Sequence, residues 1–162
     1  MAATLQESGR IGLAIAVASQ PLHLAWGRGS PAWDSTPESP PGNANALTDE
    51  IGRRLISDIG YAEPSPTGEI ELPSGERYAR VPGPTPYVHV RVTFDFADAE
   101  GETIRELGLT MGAQTAAGLP AGQRYFSPSQ VTAPGRMYMI ERVGFFVRSG
   151  AVRQFFEYIL PF

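Results

Sequence analysis

The chain has no cysteine among its 162 residues. Disulfides, thiolate nucleophiles and cysteine-built zinc sites are therefore excluded, and the composition suits assembly in a reducing cytoplasm. Histidine is almost as scarce, with only His23 and His89. Neither has a second histidine or a carboxylate at ligand spacing, so a metal site or a catalytic dyad lacks parts. A partly exposed structural histidine is the expectation for both. No serine sits in a Gly-x-Ser-x-Gly elbow, and no Gly-Lys-Ser/Thr follows Gly27-Arg28-Gly29, so nucleophile-elbow and phosphate-loop chemistry find no support. Basic tracts are missing too: 13 Lys+Arg stand against 17 Asp+Glu, for a formal charge of −4. That balance makes nucleic acid a poor partner. No apolar run approaches the length of a membrane span, so membrane insertion is not expected. Ile11–Ala18 is short, broken by Gly12 and preceded by Glu7 and a single arginine, unlike an export signal. The reading is of a soluble, non-exported chain with no cofactor.

Glycine and proline are plentiful, at 18 and 15. Short strands joined by Gly/Pro turns suit this composition better than a helical bundle does. The length fits a single domain, 1–162. The clearest pattern lies between Tyr87 and Gly112. Val88, Val90, Val92, Phe94 and Phe96 alternate with Tyr87, His89, Arg91, Thr93 and Asp95, the two-residue period of a half-buried strand. Ala97–Gly101 reads as a turn, and Thr103–Thr110 as a strand returning against the first. The acids around the turn (Asp95, Asp98, Glu100, Glu102) match no calcium-loop spacing and read as a solvated hairpin tip.

Elsewhere Leu22–Trp26 alternates as a strand, and residues 31–45 form a proline-rich loop or arm too polar to fold alone. Leu47, Ile51, Leu55 and Ile59 recur every four residues, with Thr48 as a cap, acids in the first turn and Gly60 at the end. These signals predict a short α-helix over about 47–59, with Arg53 and Arg54 either in water or paired with a neighbouring subunit. Residues 11–18 fit strand or helix equally, and the last ten residues are open in the same way. Met137–Val147 reads as strand, and the hydrophobic terminus must be buried in its own core or against another chain.

Two segments resemble proteins of tailed-phage tails. Thr103-Ile104-Arg105-Glu106-Leu107-Gly108-Leu109 resembles a segment in the collar and attachment regions of fibre and baseplate proteins. Leu22–Asp34, followed by Leu47–Arg54, is similar to small tail and baseplate proteins. The likeness covers residues 20–56 and 85–112. It implies a virion structural protein of a tail tip or baseplate, an adaptor connecting tail to fibres by subunit assembly without catalysis. Its partners would be other tail, baseplate or fibre proteins, with several copies of the chain around the tail axis, assembled in the host cytoplasm. Because the chain stops at Phe162 with no repetitive shaft, a subunit or adaptor is expected in place of a complete fibre.

The expected fold is mainly β, an antiparallel β-sandwich with one short helix and long Pro/Gly-rich loops. Candidate subunit-contact residues are Trp26, Trp33, Arg53, Arg54, Arg91, Arg105 and Phe162. Arg105 can fix subunit register through a bidentate carboxylate on an adjacent chain, or pair locally with an acid such as Asp95. The alternative is a carbohydrate-binding β-sandwich module using Trp26, Trp33 and Tyr61 as stacking faces. A small hydrolase built on the two histidines and the Asp95–Glu102 acids is a third.

Overall fold

A computed structural model describes residues 3–162. Its secondary structure is mainly β with antiparallel sheets and one α-helix among the described residues, the class expected for a β-sandwich. The chain divides into two compact units. One takes the residues up to Gln20, Ser57–Val92 and Phe156–Phe162, and the other takes Pro21–Ile56 and Thr93–Phe155. No helix among the described residues is long and apolar enough to cross a membrane.

The first unit opens with the helix α1, Glu7–Ala18. Its alanines outweigh two glycines, which cost roughly 1 kcal/mol each in a helix interior. This settles the ambiguity at residues 11–18 in favour of helix. Only Ala14 is buried on it, and the Arg10 guanidinium donates to the Phe162 carbonyl. The unit's sheet has the order β12-β6-β3-β5-β4, built from β3 (Asp58–Pro64), β4 (Ile70–Glu71), β5 (Arg77–Val81), β6 (Tyr87–Phe94) and β12 (Gln154–Pro161). The C-terminal segment is therefore strand. As its alternation requires, Val88, Val90 and Val92 of β6 are buried. The strand ends at Phe94, and Phe96, placed on the same inward face by the sequence pattern, is 45% exposed instead.

The second unit's sheet runs β11-β7-β1-β2-β9, formed by β1 (Leu22–Gly27), β2 (Glu50–Leu55), β7 (Thr103–Met111), β9 (Tyr125–Phe126) and β11 (Arg136–Val147). A small ribbon pairs β8 (Gln114–Thr115) with β10 (Val131–Ala133). All six residues of β1 are buried, and the strand is hydrogen-bonded on both sides, to β2 and β7. Trp26 lies against Phe94 with ring centroids 3.8 Å apart, and Phe146 and Tyr125 meet this pair edge-on.

Two sequence expectations are corrected here. Residues 47–59 are not a helix: Glu50–Leu55 is β2, and β3 begins at Asp58. The four-residue apolar spacing was a local signal that tertiary pairing overrides. β1 needs a partner on this side, and in strand geometry Arg53 becomes buried with a full set of acceptors, as described below. Gly52 also belongs to a sheet, since a Cβ there would stand 2.4 Å from the Tyr125 hydroxyl and 2.9 Å from the Phe126 carbonyl oxygen. The second correction concerns the Tyr87–Gly112 hairpin. Both strands exist, but β6 pairs with β3 while β7 pairs with β1 and β11, so they belong to different sheets. The intervening acids close the connection locally: the Asp98 N–H donates to the Asp95 carbonyl and the Asp95 N–H to Asp98 Oδ2 at 2.7 Å.

Candidate interaction site

The Thr103–Leu109 motif is a framework element, and its residues explain one another. Ile104, Leu107 and Leu109 are fully buried core residues of β7. Gly108 is left open for Leu47 and Met137, whose side chains lie 2.9 and 3.1 Å from where a Cβ would stand. Glu106 is buried over Gly27, and its Oε1 accepts the backbone N–H of Thr48. That bond fixes the end of the long loop just before β2. Arg105 holds the loop's other end: Nε and Nη2 donate to the two oxygens of Asp34 at 2.6 and 3.0 Å, and Nη1 reaches the Arg28 carbonyl. The fork holds the Asp34 carboxyl below the usual carboxylate range. The carboxylate partner of Arg105 thus lies within the chain, and it is Asp34, not Asp95.

The proline-rich segment begins with a short 3-10 turn at Pro31–Trp33 and continues mostly exposed to residue 46. Besides Asp34 it is tied down through Arg142, which donates to the Glu38 carbonyl and lies 3.8 Å over the Trp33 ring. Trp33 and Trp26 are both buried. They are packing residues in this chain, which removes two of the three aromatic faces on which the glycan-binding alternative relied.

Arg53 is buried. It forks onto Glu50 at 2.8 and 2.7 Å and donates to Thr110 Oγ1 and the Pro134 carbonyl. Arg54, its neighbour in the strand, points to the opposite face and pairs with Asp98. Arg28 bridges Glu102 and Asp49; the Glu102 hydrogen bonds hold its own pKa up and the Glu102 carboxyl down. Arg91 has an exposed side chain 3.7 Å from Glu157, and Phe162 is half-buried.

Both histidines are buried, against the expectation of partial exposure. His23 packs edge-on against Phe126, and burial, reinforced by Arg53, pushes it down to about 4. In the first unit His89 Nδ1 accepts from Arg80 Nε at 2.7 Å, while its Nε2 faces Glu157 Oε1 at 3.4 Å. Burial and then Arg80 lower its pKa, with Glu157 and Asp58 opposing. Among the described residues no group of three or more acids or histidines that could hold a metal ion is assembled.

Sequence reading missed the most constrained cation. Arg148 is fully buried without an acid: its guanidinium donates to the carbonyls of Ser149, Val152, Phe94 and Asp95, and it lies over Trp26. One side chain thereby gathers residues 94–95 and 148–152 of the second unit. Around that junction Phe96, Val147 and Val152 are exposed. A composition signal was available for this, because all 13 basic residues are arginine. Arginine is the cation of choice for buried and bidentate contacts.

The full sequence, residues 1–162, matches the model of a family described as baseplate wedge 3 tail fiber network component. The chain belongs to that family. No curated protein matches it significantly. Family membership makes it a phage baseplate and tail-fibre protein with a structural role and a place in the virion tail, in company with other baseplate or fibre components. The seven residues expected at contacts divide in this light. Trp26, Trp33, Arg53 and Arg105 are taken up in holding the frame, Arg54 lines a surface groove, and Arg91 and Phe162 lie on the first unit's sheet and its end.

Proposed function

We propose that this chain is a tail-tip or baseplate adaptor that joins the tail to its fibres by subunit assembly, in several copies about the tail axis and without catalysis. The observation that carries this reading is the family match over the entire sequence, whose description is that of a network component. The ionic design supports it. Ion pairs in the second unit anchor loops to strands, as Arg105 does for Asp34 and Arg142 for Glu38, so that the long proline-rich loop is presented in a defined shape. A preorganised loop loses less conformational entropy on docking than a free one. Arg54, Arg91, Phe162 and the residue 31–45 loop are the segments assigned to neighbouring subunits, after assembly in the host cytoplasm.

The test is composition and mass. Purified tails should contain the chain in fixed stoichiometry by quantitative mass spectrometry, and light scattering of the isolated chain should show an oligomer. A strict monomer absent from purified tails would sink the reading.

A further inference from the structure

Beside the Arg148 junction, the second unit carries a groove of about 500 Å³ lined by Arg54, Asp95, Phe96, Asp98, Arg124 and Arg153, among others. Its ionic groups do not cancel. Asp98 receives Arg54 and the Asp95 N–H; Asp95 receives Arg153 at 2.9 Å and the Phe96 N–H. Both aspartates are thus committed, each to its own arginine. Arg124 is left over. Its backbone is fixed, because its carbonyl accepts the Leu55 N–H at 2.8 Å. Its Nε, however, is buried with no hydrogen-bond partner, and the side chain forms no ion pair among the described residues. A buried guanidinium N–H without an acceptor is costly, and a carboxylate is the acceptor whose geometry matches the fork. At the groove's edge Arg153 stacks 4.8 Å over Phe96, which is itself exposed, and Val152 is exposed next to it.

We propose that this groove is a docking site for an acidic residue of a neighbouring tail protein. A partner glutamate or aspartate would meet Arg124, and an adjoining apolar side chain would cover Phe96. Charge complementarity selects this occupant. The groove offers one uncompensated positive charge on a chain of formal charge −4. The nearby Asp95 and Asp98 carboxylates would repel a polyanion such as nucleic acid, whereas one carboxylate needs only one cation. The site rests on the assembly role proposed above, and it names the chemistry of one contact within it.

The test uses the full chain and two capped dipeptides, acetyl-Phe-Glu-amide and acetyl-Phe-Gln-amide, followed by the arginine Nε–H signals in NMR. The glutamate peptide is expected to shift the Arg124 signal saturably, with the glutamine peptide at least tenfold weaker. Arg136, a solvent-exposed arginine, serves as the control and should not respond. Arg124→Met should abolish the response, and Arg124→Lys, which keeps the charge but loses the fork, should weaken it. The proposal is overturned if Arg124 does not shift saturably, or if Arg136 shifts equally. It is also overturned if the glutamine peptide binds as well, if inorganic phosphate competes as tightly, or if Arg124→Met still binds. Because the assay uses the isolated chain, its failure leaves tail incorporation to be judged separately by mass spectrometry.

Discussion

The two units solve the same problem with different materials. Each buries one histidine beside an arginine, and each has a strand glycine beneath a polar side chain. In the second unit the histidine, His23, has its Nδ1 without a hydrogen bond, and the glycine, Gly52, lies under the Tyr125 hydroxyl and the Phe126 backbone. In the first unit His89 is held by Arg80 and faces Glu157, and Gly60 lies under the Arg80 guanidinium, 2.3 Å from where a Cβ would stand. At these two positions the second unit answers a perturbation with rigid neighbours, the first with a mobile charged end. The difference teaches that a strand glycine's tolerance is set by what covers it: backbone and a buried ring over Gly52, the end of one flexible side chain over Gly60.

The largest effect should come from the second unit. Arg148→Met keeps the stem volume but leaves the carbonyls of Phe94, Asp95, Ser149 and Val152 without their donor. Stranded buried acceptors cost about 1–3 kcal/mol each, and a partly hydrated set of four should total about 3–5 kcal/mol. Urea unfolding should show the loss as a lower midpoint. Arg148→Lys, with fewer donors, should fall between.

His23 should make the second unit sensitive to acid. Its pKa is about 4 in the folded chain and 6.5 when unfolded, so the unfolded state binds the extra proton first. The associated stability is complete above pH 6.5 and is lost as pH falls toward 4. At 1.36 kcal/mol per pKa unit, the change is on the order of 3 kcal/mol. Denaturation at pH 7.5 and pH 4.5 measures it, and His23→Leu should flatten that part of the pH profile.

The glycines provide a matched pair of smaller changes. Gly52→Ala removes a poor helix former, yet it should destabilise by about 2 kcal/mol, because the Phe126 carbonyl cannot step aside. A stabilising result would revive the helical reading of residues 47–59. Gly60→Ala should cost less than about 1 kcal/mol, since the far end of Arg80 can swing away.

These pairs also mark what the sequence made legible. The buried face of β6 followed from two-residue alternation, the β class from short runs between Gly/Pro turns, and the strand over Met137–Val147 from a run of β-formers. Alternation cannot name the partner strand, so β6 and β7 looked like a hairpin although each joins its own sheet. Four-residue spacing misled at 47–59 because Ile51 and Leu55 satisfy a strand equally well, and nothing local announced Tyr125 over Gly52. At the site, Arg105 was recognised as a bidentate arginine, but its acid lies 71 positions away. Arg148 and Arg124 stood unnoticed at the ends of runs read as strand. Only the exclusive use of arginine as cation hinted at buried forks.

The smallest effect is also the finest test of the contrast. His89 is lowered by burial and by Arg80 and pulled back by Glu157 and Asp58, groups on β5, β12 and β3 around it, with Arg91 beyond Glu157. With Nδ1 occupied by the Arg80 donor, the proton of the neutral ring sits on Nε2, toward Glu157. Glu157→Gln removes the main opposing charge, so the His89 midpoint, followed by its Cε1–H signal, should move further below 6.5. Arg80→Met frees Nδ1 and removes a cation, so the midpoint should rise. His23, which lies in the other unit, should stay near 4 in both variants. If His23 moved with His89, the two buried histidines would be coupled and the contrast between their two settings would fail.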